Sequence, residues 1–207
     1  ILLTQFRALI AAASGQTLWV MFPFIAQVSE FEAAKKLFDQ EWAEAEARGQ
    51  MMPSALKIGV MMEIPSLLWQ LDALMQQVDF ISIGSNDLMQ FLFACDRGTP
   101  RMAGQYDTLS PVMLRVVRDI VEKATKYDVE IGFCGEMART PLEALALLLV
   151  GVRSLSASAS AIGPLKAMIR SLNLASATEF MPYLIGSQEA SVRPQLAAYA
   201  RDHNIVT

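Results

Sequence analysis

Several residues along this chain have the type and position to do chemistry. Lys57-Ile58-Gly59-Val60-Met61-Met62-Glu63-Ile64-Pro65 is an apolar stretch ending in a carboxylate. A Glu there is costly to bury unless it meets a cation or a strong donor. Asp79-Phe80-Ile81-Ser82-Ile83-Gly84-Ser85-Asn86-Asp87 ends in the same way. Taken alone, Asn86-Asp87 reads as a helix N-cap. Two neighbouring strands that end in Glu63 and Asp87 would instead project both carboxylates into one mouth. Hard oxygen ligands with room for water and substrate suit Mg²⁺, so the pair is expected to share a metal ion. Arg97 follows Cys95-Asp96. It reads either as a solvated loop arginine paired with Asp96 or as a clamp on a phosphate or carboxylate. Ile131-Gly132-Phe133-Cys134-Gly135-Glu136 puts a thiol at a strand end, flanked by glycines that let a ligand approach closely. A buried structural cysteine is the bland alternative, and the strand-end position points instead to an acid–base or nucleophilic thiol. Cys95, at the end of the apolar stretch Leu88–Ala94, reads as core, and the 12 methionines read as core filler.

Bringing these groups together requires strands that end side by side. Short apolar runs occur at Thr17–Phe22, Lys57–Met62, Asp79–Ile83, Val129–Cys134 and Arg153–Ser156. Runs that are apolar on both faces and end abruptly at Gly, Pro or a polar cluster suit a buried parallel sheet. Helical stretches lie between them. In Ser29–Arg48 the residues Phe31, Ala34, Phe38, Trp42 and Ala45 recur at helical spacing, and Ser29-x-x-Glu32 reads as a capping box. Further helices are expected at Pro65–Gln77 and Asp87–Cys95, after Ser110-Pro111, and after Thr140-Pro141 with Glu143 closing a capping box. Another is expected at Ala161–Leu172, and one or two more beyond Ala175.

A repeated β-α order implies a parallel sheet with right-handed crossovers. No Gly-rich phosphate fingerprint follows a first strand, as an open dinucleotide-type sheet would require. Polar groups at the ends of successive strands are what a β/α barrel active site uses. The expected fold is therefore α/β, the C-terminal part (about five of eight strands) of such a barrel. Residues 1–174 are assigned to this partial barrel and 175–207 to a C-terminal helical extension.

Composition limits the function classes. The chain has 207 residues, 53% of them hydrophobic and 18% charged, and a net charge of −4. That excludes a disordered tail and argues against a nucleic-acid partner, which normally selects a basic surface. No apolar run approaches the roughly 20 residues of a membrane-spanning helix. Two cysteines in unrelated contexts are no disulfide framework, and a cytoplasmic setting is the simplest. The start, Ile1-Leu2-Leu3-Thr4, lacks Met and has no signal-peptide layout, so the chain reads as excised from something longer.

Three motifs, in order and at compatible spacing, resemble the phosphoenolpyruvate-utilising enzymes. They are Gly59-Val60-Met61-Met62-Glu63-Ile64-Pro65, Ile83-Gly84-Ser85-Asn86-Asp87-Leu88-Met89-Gln90-Phe91 running to Asp96-Arg97, and Cys134-Gly135-Glu136-Met137-Ala138. Within that superfamily the chain is most similar to enzyme I of the phosphotransferase system, the phosphoenolpyruvate–protein phosphotransferase. Met21-Phe22-Pro23-Phe24-Ile25 and Leu109-Ser110-Pro111 add to the likeness, and Tyr106-Asp107-Thr108-Leu109 leans toward the nitrogen-related branch. The resemblance implies that Glu63 and Asp87 bind Mg²⁺, that Asn86, Asp87 (through its backbone amide) and Arg97 hold phosphoenolpyruvate, and that Cys134 protonates the enol carbon to give pyruvate. It implies phosphoryl transfer to a histidine on a separate N-terminal domain, a downstream phosphocarrier protein and a homodimer. Met89 stands where the family usually has Thr, and Leu155-Ser156-Ala157-Ser158 replaces a usual Ser-Met-Ser. The only histidine, His203, lies in a terminal stretch and reads as solvated, so this stretch by itself is expected not to turn over phosphoenolpyruvate. The alternatives are the barrel of a pyruvate phosphate dikinase or phosphoenolpyruvate synthase relative, and a non-catalytic dimerising or ligand-sensing fragment.

Overall fold

A computed structural model of the chain describes residues 1–96, 98–99 and 105–207. Four parallel strands, β1 (Thr17–Phe22), β2 (Ala55–Met62), β3 (Phe80–Gly84) and β4 (Glu130–Cys134), lie side by side in chain order. An open doubly wound sheet reverses its strand order at a switch point. Here every crossover steps the same way, as it does around a barrel, so the sheet is an arc of a β/α barrel. The fifth strand expected at Arg153–Ser156 is reduced to one parallel bridge between Phe133 and Leu155. It is held by Phe133 N–H to the Ser154 carbonyl at 3.0 Å and Ser156 N–H to the Phe133 carbonyl at 2.9 Å.

The two faces of the sheet differ. In β1, Leu18, Val20 and Phe22 are buried on one face. There Phe22 meets Phe6 of α1 (Leu2–Ala12) and Phe31 of α2 (Val28–Ala47), with ring centroids 6.0 and 5.9 Å apart. Burying this layer of aromatic and aliphatic side chains is the main driving force for the fold. On the other face Trp19 and Met21 remain 49% and 40% exposed. Trp19 packs on Phe80 at 4.9 Å between ring centroids. Phe80 reaches over Gly59, where a Cβ would strike the Phe80 carbonyl oxygen and ring. With Ser82 and Gly132 these side chains line a hollow of about 320 Å³ on the sheet's inner face.

Two capping expectations are corrected. α2 begins at Val28, with Gln27 as N-cap and Glu30 closing the capping box, two residues earlier than the Ser29–Glu32 box. Val28 and Phe31 are buried, and the earlier start places both on the core side. In α6 (Pro141–Leu149) Thr140 is the N-cap, but no side chain caps it. Glu143 turns instead to Arg193, at 2.6 Å. The helix α5 (Pro111–Tyr127) begins as expected, with Ser110 Oγ accepting from Met113 N–H.

The stretch Pro65–Gln77 forms a 3₁₀ segment, Pro65–Gln70, and a short α3, Leu71–Met75. α4 spans Ser85–Leu92, so Cys95 lies beyond the helix and is only half-buried, not core. After α7 (Ala159–Ser171), three helices close the described chain: α8 (Leu174–Thr178), α9 (Met181–Gly186) and α10 (Arg193–Asp202). They pack on α5 and α6. Arg193 donates to both carboxylate oxygens of Asp107, at 2.9 and 2.7 Å, and pairs with Glu143. Ser191 Oγ also donates to Asp107, and Val192 N–H reaches the Leu109 carbonyl. This fork of charge-assisted bonds holds the Asp107 carboxyl well below its usual range and raises the Arg193 guanidinium above its own.

Candidate active site at the strand ends

β2 delivers Glu63 to the rim of the sheet, where only 1% of it stays exposed. One carboxylate oxygen, Oε1, accepts the Phe24 N–H at 2.8 Å. Phe24 has φ 54°, a left-handed conformation unusual for a large residue, and this turn after β1 aims its N–H at Glu63. The other oxygen lies over Gly84, where a Cβ would come within 2.9 Å of Oε2. Glycine at that position leaves room for the carboxylate. Among the described residues no cation pairs with Glu63. Burial pushes its carboxyl above the usual range, the Phe24 N–H opposes that shift, and the nearby Asp87 charge adds to it.

β3 runs straight into α4. The N-cap is Gly84, so Asn86 and Asp87 lie in the first helical turn and neither is the cap. Asn86 Oδ1 accepts the Glu136 N–H at 3.1 Å and lies 3.4 Å from the Ser85 hydroxyl. A backbone N–H can only donate, so the amide oxygen of Asn86 must face it. Its NH₂ is thereby left to donate elsewhere. The backbone at Gly135, φ 108°, passes so close to Ser85 that any Cβ would collide with the Ser85 hydroxyl. That contact brings the Cys134-Gly135-Glu136 turn against Asn86.

Cys134 ends β4, in register with Gly84. Its Sγ receives the Ser82 hydroxyl at 3.4 Å and donates to the Ile83 carbonyl at 3.4 Å. Glu63, Asn86, Asp87 and Cys134 thus stand at the C-terminal ends of three adjacent strands. Arg97 lies outside the described residues. His203 is exposed in the terminal stretch and stacks on Tyr199 at 4.0 Å, away from these motifs in the chain. Beside the strand ends, a cleft of about 540 Å³ is lined by Glu136, Arg139, Thr140, Glu143, Ser158 and Ser160.

Among the described residues no group of three or more His, Cys, Asp or Glu side chains converges. Two carboxylates at one mouth still fit Mg²⁺, which is held by one or two carboxylates together with substrate oxygens and water. A fully buried carboxylate without a cation partner is the donor such an ion would satisfy. The residues that sequence reasoning overlooked are Ser82, the Phe24 and Glu136 amides, and the Asp107–Arg193–Glu143 fork. Ser82 had a signal: it is the one hydroxyl inside the apolar run Phe80–Ile83.

A parallel β/α arc with acid, amide and thiol groups at consecutive strand ends is the layout that β/α-barrel enzymes use for their active sites. Residues 1–174 match the family described as PEP-utilising enzyme, PEP-binding domain, where PEP is phosphoenolpyruvate, and the chain belongs to that family. It is 34% identical over 202 residues to a protein of Salmonella typhimurium named Phosphoenolpyruvate-dependent phosphotransferase system, covering 96% of this chain and 27% of that protein. Phosphoenolpyruvate-protein phosphotransferase of Bacillus subtilis is 34% identical over 199 residues, covering 96% of this chain and 34% of that protein. The chain therefore spans about a quarter to a third of the length of these curated relatives. Among solved structures, a citrate lyase of Burkholderia xenovorans LB400 shares the fold at TM-score 0.58 and 14% identity, over 98% of this chain and 69% of that one. Among the described residues no helix is long and apolar enough to cross a membrane.

Proposed function

We propose that this chain is the phosphoenolpyruvate-binding part of a phosphoenolpyruvate–protein phosphotransferase, which passes the phosphoryl group to a histidine on another domain and releases pyruvate. The observation that carries this reading is Glu63: a buried carboxylate with no cation partner among the described residues, at the end of a strand next to the one that leads to a second acid, Asp87, whose charge it feels. The names of the relatives favour phosphoryl transfer to protein over a dikinase.

Glu63 and Asp87 would hold Mg²⁺. When bound, the ion supplies charge neutralisation and a fixed template for the substrate's oxygens. Asn86, its amide oxygen engaged by Glu136, turns its NH₂ toward the anionic substrate. Arg97 is assigned to the same substrate as a guanidinium clamp. Cleavage of the P–O bond leaves the enolate of pyruvate. The Cys134 S–H bond then breaks as its proton moves to the methylene carbon, which becomes the methyl group of pyruvate. The phosphoryl group departs to a histidine nitrogen. On the same reading the parent protein is a cytoplasmic homodimer that hands the group on to a phosphocarrier protein, and residues 175–207 are a helical extension of the barrel.

Incubating the parent protein with phosphoenolpyruvate and Mg²⁺ tests the reading. Pyruvate release and a labelled histidine are expected, and both should be lost in Asp87→Ala. Labelling of Asp87→Ala at the parental rate would overturn it.

A further inference from the structure

We propose that Ser82 is a positioning residue for the Cys134 thiol. This rests on the reading of Cys134 as the proton donor, and goes beyond it by assigning what aims the thiol. A cysteine side chain has three staggered wells to choose among. Here two contacts single out one of them: Ser82 Oγ–H donates to Sγ at 3.4 Å, and the thiol donates to the Ile83 carbonyl at 3.4 Å. Ser82 can reach along the sheet because its direct neighbour on β4 is Gly132. Even a Cβ at Gly132 would sit 4.0 Å from the Ser82 hydroxyl, in ordinary contact, and a larger side chain would take up the space that Ser82 now crosses. Ser82 also belongs to the inner face of the sheet, with Trp19, Phe80 and Gly132 around the same hollow, rather than to the face that packs on helices.

The two hydrogen bonds change differently during the reaction. When the S–H bond breaks and a C–H bond forms on the enolate, sulfur keeps the electron pair as a thiolate. The bond to Ile83 loses its proton and vanishes. The bond from Ser82 persists, and it strengthens because its acceptor has become an anion. A group that interacts more strongly as the proton leaves lowers the barrier rather than tightening substrate binding. Ser82 should therefore act on kcat and not on KM.

The test uses the parent protein with Ser82→Ala, and with Ser82→Thr and Ser82→Val, two side chains of one shape that differ in the hydroxyl. Kinetics of pyruvate formation are measured together with the rate at which iodoacetamide alkylates Cys134, followed by peptide mass spectrometry at one fixed pH. The expected result is kcat about tenfold lower in the Ala and Val variants, the size of a charge-assisted hydrogen bond. KM should stay within about twofold. Alkylation should slow in both, and Thr should restore both properties. The Thr–Val pair keeps the comparison meaningful if Ser82→Ala does not fold. Parental kcat and alkylation in Ser82→Val, or a Thr variant as impaired as Val, would overturn the proposal. Cys134→Ala separates the two readings: parental pyruvate formation in that variant removes Cys134 as the acid, whereas the alkylation rates report on Ser82 whatever the activity.

Discussion

Glu41 and Glu63 are both glutamates almost without solvent contact, at 3% and 1% exposure, and their surroundings treat them oppositely. Glu41, on α2, receives both prongs of the Arg7 guanidinium at 2.6 and 2.8 Å. That hydrogen-bonded pairing keeps its carboxyl below the usual range. Glu63 accepts one backbone N–H and has no cation partner among the described residues; burial pushes its carboxyl up, and the Asp87 charge adds to that. Burial alone therefore does not mark a working residue. A buried acid that already has its cation joins α1 to α2. A buried acid with no cation partner among the described residues, at the end of a parallel strand, is where an ion and an anionic substrate would be received.

The largest expected effect divides the two cysteines along the same line. Cys134→Ala in the parent enzyme should lower pyruvate formation by about 10²–10⁴-fold, the usual worth of a general acid. Cys95→Ala, beyond the end of α4, should leave it near parental. Steady-state assays of both variants check this.

Next comes Gly84→Ala. The new Cβ would stand within 2.9 Å of Glu63 Oε2, so the carboxylate must move. Mg²⁺-dependent binding of phosphoenolpyruvate should weaken by about tenfold or more, because small misplacements at a preorganised site are expensive. Calorimetric titration of the variant measures it.

Two stability effects of opposite sign would sharpen the comparison between the glutamates. Arg7→Met should lower Tm at pH 7 by leaving Glu41 buried and unpaired. Because the folded pKa of Glu41 is depressed, its contribution is present above the unfolded carboxylate value and is lost as pH falls through the lowered one. The deficit of Arg7→Met should therefore shrink on acidification. Glu63 is the reverse case. Its folded pKa is raised, so the metal-free protein is penalised increasingly as pH rises through that pKa. Glu63→Gln keeps an acceptor for Phe24 N–H and removes the charge. Its metal-free Tm should equal or slightly exceed the parental one at pH 7, with the gain gone near pH 4. Scanning calorimetry across that pH range reads both.

Much of the scaffold was legible because buried parallel strands are apolar on both faces. Thr17–Phe22 is the strand expected, and β2 to β4 differ from expectation by no more than two residues at either end. Where order depends on a single bridge, as at Leu155, an apolar run overstates the strand. The missed features are pairings at a distance. Asp107 and Arg193 are 86 residues apart, and Arg7 and Glu41 are 34 apart; nothing in either local pattern links them. Asn86 illustrates the same limit. Its neighbourhood suggested a helix cap, but its amide oxygen answers to Glu136 on another loop. Ser82 was overlooked for a different reason: a parallel strand read as uniformly apolar hides the one hydroxyl on its inner face.

The central claim is that Glu63 and Asp87 hold one divalent ion jointly, and electron paramagnetic resonance of Mn²⁺ added to the parent protein with phosphoenolpyruvate tests it most directly. The account predicts that the free Mn²⁺ signal is lost on binding to the parental protein and persists at the same concentrations in Asp87→Ala and in Glu63→Gln, while Arg7→Met binds as the parent does. Unchanged Mn²⁺ binding in Asp87→Ala and Glu63→Gln would contradict it.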